Sequence, residues 1–279
     1  MDYLPAEIWG DIYALACVDD GRTGRALSLV SRFIHETSKP YKLQSIAVIG
    51  ERQLLAFADL IEQTPTHLRR VHFILFSSSA PQVTLDHLLI SANTRQLDLY
   101  PVLERILRAI SSTVRIIHAL FLWQRPFILL PVSLPVLEEL VMQGPIHMSA
   151  TVNDSIQLPA LKHLNFACNA ALLENLLKLT PSLINLQLTA AIQDADGLPA
   201  IVESGFPIHL QRISIHTPTR PYPMMPEHLL FYNRVMHSLQ LLADADHRVL
   251  LLYPLRFDLL GTETLMATWS ASVAGIPWW

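Results

Sequence analysis

SLPVLEELVM (133–142), QLPALKHLNF (157–166) and LTPSLINLQL (179–188) are three versions of one phrase. Each carries a proline two residues before a leucine, and from that leucine the spacing L-x-x-L-x-L follows, any apolar residue being accepted at the three positions. Read this way the phrase gives Leu137/Leu140/Met142, Leu161/Leu164/Phe166 and Leu183/Leu186/Leu188, and the same spacing recurs at Ile117/Leu120/Leu122 and Leu210/Ile213/Ile215. The first positions of the five units are thus Ile117, Leu137, Leu161, Leu183 and Leu210.

All the intervals between them fall in the range of about 20–29 residues used by leucine-rich repeats, in which a strand-plus-helix unit cannot bury its apolar face alone and so stacks on its neighbours to share one core. The spacing therefore predicts an α/β chain with an irregular leucine-rich-repeat-like solenoid and a parallel sheet. An ordinary α/β domain with leucine-rich strands is the competing reading. The Asn or Cys that usually follows the repeat strand is matched only by Asn169, which marks the units as irregular. Between the strands, 170–179 (AALLENLLKL) and 196–203 read as short helices.

Upstream of the repeats, SIAVI (45–49) reads as a strand, 51–63 as a helix, LRRVHFILF (68–76) as a strand with Arg69 and Arg70 on its solvated side, 77–98 as a weakly patterned connection, and 102–110 as a helix. Downstream, a long helix runs from Pro226 to about Ala243, HRVLLLYPL is a buried strand, and a last helix starts near Thr262. Solenoid ends need covering, so Trp269, Trp278 and Trp279 are expected to form a hydrophobic lid over the last repeat, with a docking peptide as the alternative reading.

The first forty residues have a different texture. Pro5 sets the first turn of a helix whose Ile8, Ile12 and Leu15 make one apolar stripe, with Glu7 at its positive end. Asp19-Asp20-Gly21 breaks it. Thr23 is a candidate cap for a second helix carrying Leu27, Val30 and Ile34, joined by Ala26 and Phe33, and Pro40 closes that helix. Two such helices cannot enclose a core, so their apolar faces must be buried against the repeats, a partner, or both.

The combination LPxEIWxxIYxLA…ALSLVSRF resembles an F-box, the module of about 40–50 residues that docks a substrate receptor on the Skp-family adaptor of a cullin-RING ubiquitin ligase. It is most similar to the F-box proteins of mushroom-forming fungi, which often carry irregular leucine-rich repeats behind the module. Residues 1–45 would then be the F-box-like module and 46–279 the repeat domain with a helical cap. The resemblance implies that Leu4, Pro5, Ile8, Ile12, Leu15, Leu27, Val30 and Phe33 serve the adaptor interface or the module's own packing. It also implies a cytoplasmic or nuclear subunit, non-catalytic and without cofactor, that joins a cullin through the adaptor and selects an unidentified protein target. A repeat scaffold with a degenerate F-box is the alternative. The tryptophan often found near the end of the module is absent, with Ser38 to Tyr41 in its place.

Composition sets the outer limits. Of 279 residues 51% are apolar and 16% charged, enough to bury a sizeable core, and the net charge of −4 gives no general attraction to nucleic acid. The apolar window 116–137 is interrupted by Gln124, Arg125 and prolines and does not read as a membrane span; the N-terminus lacks the basic and apolar regions of a secretory signal. The two cysteines, Cys17 and Cys168, form no CxxC pattern and read as buried thiols. No nucleotide, zinc-protease or hydrolase motif is present, the twelve histidines are scattered, and the pairs Asp19/Asp20, Asp194/Asp196 and Asp244/Asp246 read as turns and caps.

Overall fold

The computed structural model describes residues 5–77, 99–121, 132–143, 157–167, 170–189, 206–220, 226–254 and 262–277. Eight strands lie side by side in chain order: β1 (Ser45–Ile49), β2 (Phe73–Ser77), β3 (Ile116–Leu120), β4 (Glu139–Gln143), β5 (His163–Ala167), β6 (Asn185–Thr189), β7 (Arg212–His216) and β8 (Val249–Leu252). Every neighbouring pair is parallel. The chain is thus α/β, with eight α-helices among the described residues.

The repeated phrase acts through two local devices. In β4, β5 and β6 the second and third apolar positions of the phrase are residues i and i+2 of a strand, so both point to one face. The first position sits in the preceding turn: Leu137 N–H donates to Leu134 O, Leu161 to Leu158 O and Leu183 to Thr180 O. The shared prolines, Pro135, Pro159 and Pro181, occupy the second residue of these turns, where the φ that the ring fixes is the one the turn requires.

The register corrects one unit. Ile117, Leu140, Leu164, Leu186 and Ile213 form one cross-strand row, so Ile117 is the second position of its unit and Val114/Ile117/Ala119 replaces Ile117/Leu120/Leu122. The stretch fits both registers by sequence because β3 is apolar on both faces, as doubly covered parallel strands are. The corrected spacing also reveals Leu43/Ile46/Val48 and Val71/Ile74/Phe76, all buried, as two earlier units.

One face of the sheet carries the main core. Helices α4 (Glu51–Gln63), α5 (Tyr100–Ile110), α6 (Ala170–Leu179) and α7 (Pro226–Ala245) bury Leu54, Phe57, Ile61, Leu103, Ile106, Ile110, Leu173, Leu176, Val235 and Leu239 against it. The segment 68–76 is extended only from Phe73; Thr66–Leu68 is a short 3-10 turn. Arg69 does not line a strand but caps α4, its guanidinium donating to Thr64 O (2.7 Å) and Glu62 O (2.9 Å).

The last helix, α8 (Thr262–Val273), lies on the opposite face. Leu265 and the fully buried Trp269 pack on Leu75, Leu120 and Val141 of β2, β3 and β4, with Ile49, Phe73 and Ile116 at the margin. Trp269 therefore does not cover the last repeat. On this face β1 to β3 are mostly apolar, β4 adds Val141 between Glu139 and Gln143, and β5 to β7 turn polar side chains, so the apolar side of α8 has its partners at the N-terminal half. Trp278, Trp279, Cys168, Asn169 and the expected helix 196–203 lie outside the described residues.

The N-terminal segment folds as three helices, α1 (Ala6–Ala16), α2 (Arg22–Leu27) and α3 (Arg32–Ser38), where the sequence suggests two. The second stripe is broken because the Ser31 hydroxyl accepts from Ile34 N–H and starts a new helix. The N-cap of α2 is Gly21 at φ 92°, not Thr23, and Asp19 two residues before it holds the first turn: its carboxylate accepts from Gly21 N–H (3.0 Å), Thr23 N–H (2.9 Å) and Thr23 Oγ1–H (2.7 Å). The module closes on the β1 edge, where Gln44 Nε2 donates to Ala14 O (2.7 Å) at the end of α1 and Gly24 lies against the Lys42 backbone.

Candidate functional site

Two surfaces stand out. The first is the outer side of α1 to α3. Helix α1 and its C-cap carry a second stripe, Trp9, Tyr13 and Cys17 at i, i+4 and i+8, and this one turns inward: Tyr13 and Cys17 are buried. Trp9 stacks on Tyr13 (centroids 5.7 Å) and meets Phe33 edge-on (6.1 Å), and Tyr13 packs on Tyr41. Thr37 Oγ1 donates to Phe33 O and accepts from the Tyr13 hydroxyl (3.0 Å), tying α1 to α3.

Because these aromatics fill the inside, the predicted stripe is left outside. Ile8, Ile12 and Phe33 are more than two-fifths exposed, Val30 62% and Leu15 79%. Pro5 is exposed at the head of α1, Leu27 is half-buried, and Leu4 lies outside the described residues. Leu29, 87% exposed, is a further large apolar side chain of the module in solvent and is not among the expected residues; its signal is its place in the LSLVS run, where a turn shows it to solvent.

The second surface is the sheet face that α8 leaves. Cross-strand register places Glu139, His163, Asn185 and Arg212 in one row, Val141, Asn165, Gln187 and Ser214 in the next, and Thr189 and His216 beyond. These are the x positions of the repeat phrase, which the apolar spacing ignores. Asn185 Nδ2–H donates to His163 Nδ1 (3.0 Å). Gln187 Nε2–H donates to His216 Nε2 (2.7 Å), so His216 Nδ1 carries the proton given to Tyr253 O (2.8 Å).

At the border of the two halves, His118 is fully buried and its Nε2 lies 2.6 Å from Glu139 Oε1. Burial pushes the His118 pKa below the ordinary histidine value, outweighing the Glu139 hydrogen bond and charge that raise it. The imidazole is therefore neutral, Nε2–H donates to the carboxylate, and Nδ1 is a sealed lone pair without a partner. The Cys17 thiol is pushed up to about 11 by burial and then by Asp19, so it is not a nucleophile near neutrality.

Among the described residues no three His, Cys, Asp or Glu side chains converge as a metal site, and no helix is long and apolar enough to cross a membrane. No family model, curated protein or solved structure matches the chain.

Proposed function

We propose that the chain is the substrate-recognition subunit of an SCF-type cullin-RING ubiquitin ligase, with α1 to α3 as an F-box that docks a Skp-family adaptor and residues 46–279 as a leucine-rich-repeat-like solenoid that holds a protein target. The observation that carries the reading is the outer side of the module, where Ile8, Ile12, Leu15, Leu29, Val30 and Phe33 stand in solvent while aromatic residues fill the inside. A cluster of large apolar side chains exposed on so small a module is the mark of a protein interface. The repeat reading is supported by chain-ordered parallel strands with one apolar phrase per strand. Its chemistry is proximity: a target lysine is held near a ubiquitin-charged enzyme, and this chain makes no bond.

Co-expression with the adaptor tests the reading. The wild-type chain is expected to co-purify with it, and Leu15→Asp with Leu29→Asp to abolish capture without lowering the melting temperature, since exposed positions change stability by only about 0.5 kcal/mol. Undiminished capture by a folded double variant removes the interface.

A further inference from the structure

The middle row of the sheet face beyond α8 is a line of hydrogen-bonding side chains. Asn165, Gln187 and Ser214 stand in register on β5, β6 and β7. Each lies between two core residues of its own strand, so strand alternation aims it away from the core. Asn165 is 7% exposed and Ser214 5%, yet among the described residues neither side chain makes a hydrogen bond. Their polar atoms are not sealed as those of His118 and Trp269 are. Their polar atoms keep a little solvent contact. Recessed amides and hydroxyls are costly to leave unpaired. Gln187 gives its amide N–H to His216 and keeps its carbonyl oxygen as an acceptor.

The charges around the row are asymmetric. Glu139 is buried and held by His118. Arg212, one row away on β7, is exposed and enters no ion pair among the described residues. Strands stand about 4.8 Å apart, so the three groups span roughly 10 Å, the reach of three extended residues.

We infer that this row binds an extended peptide segment bearing an acidic side chain: Asn165, Gln187 and Ser214 pair with its main-chain N–H and C=O groups, and Arg212 takes the carboxylate as a fork. Three neutral groups strung along a line fit a polypeptide, where a small anion needs convergent cations. The inference deepens the proposed function by naming the class of target; it rests on the target-holding half of that reading and not on adaptor docking.

Fluorescence anisotropy of the full chain with three labelled degenerate decapeptide pools, one rich in Asp and Glu, one neutral and one rich in Lys, tests it. The acidic pool is expected to bind tightest and to be weakened about tenfold or more by Arg212→Glu and by Asn165→Ala. Equal binding of the neutral pool, or an unchanged affinity in Arg212→Glu, overturns the proposal. Full displacement of the acidic pool by millimolar acetate or inorganic phosphate overturns it too, making the row a small-anion site. Arg212 is a surface residue, so its variant carries the test if Asn165→Ala unfolds. Adaptor capture is measured on the same variants: its failure with peptide binding intact sinks the docking reading alone, and the converse sinks this one alone.

Discussion

His118 is the residue at which the sheet makes its least comfortable burial. Leu75 and Val141 flank it in register, Glu139 takes one nitrogen, and the other is sealed without a partner. His72 and His163 are also held below the ordinary value: His72 by burial and then Arg115 and Arg70, His163 by burial, with Lys162 adding to it and Glu139 and Glu138 opposing. A histidine depressed in the folded state binds its proton more readily when unfolded. The stability it contributes is complete above its unfolded value, about 6.5, and is lost as pH falls below it, by up to about 1.4 kcal/mol per pH unit for each group. Urea unfolding should therefore show a lower stability at pH 5.5 than at pH 7.5, and His118→Gln, which keeps a donor for Glu139, should flatten the slope. A stability independent of pH over this interval contradicts the assignment. Cys17 makes a second residue-level claim. With its thiol raised to about 11 and buried, peptide mapping after iodoacetamide should find it unmodified in the native chain and modified in urea.

At the scale of elements, two short features decide how the module meets the sheet. Asp19 satisfies the first turn of α2 with three hydrogen bonds. Asp19→Ala should cost about 1 kcal/mol, read as a lower urea midpoint at constant slope. Gly24 sits in α2, where alanine would ordinarily be better by up to about 1 kcal/mol. Here a Cβ would lie 2.5 Å from Lys42 O and 3.0 Å from its Cα, both backbone atoms that cannot move aside. Overpacking of that kind costs about 1–3 kcal/mol, so the clash wins and Gly24→Ala should destabilise. A stabilised Gly24→Ala variant would show that α2 does not lie against Lys42.

At the scale of the molecule, α8 closes one half of the sheet face. Trp269 is its anchor, fully buried with Leu265 over Leu75, Leu120 and Val141. Trp269→Ala should cost about 3–5 kcal/mol, the range for a deleted core aromatic. It should also raise binding of a hydrophobic dye, because the apolar half of the face loses its cover. An unchanged midpoint and dye signal would mean that the helix rests elsewhere. No described helix is seated on the polar half, and the two halves differ at the x positions of the strands.

Read as letters alone, the chain already states the order of its elements. Strand β1, helices α4 and α6 and the starts of α7 and α8 are legible because apolar spacing, proline and glycine act on the backbone within a few residues. So is the one-strand-per-unit plan, since L-x-x-L-x-L needs only a turn and two alternating residues to declare itself. Partnership through space is another matter, and it waits for the fold. The register of β3 is ambiguous in sequence because its second face is covered by α8, a helix from the far end of the chain. The stripe Ile8, Ile12 and Leu15 faces out because Trp9, Tyr13 and Tyr41 already fill the inside, and no spacing rule ranks one apolar stripe above another. Asn165, Gln187, Arg212 and Ser214 come from three separate units of the sequence and become neighbours only when parallel strands set them side by side.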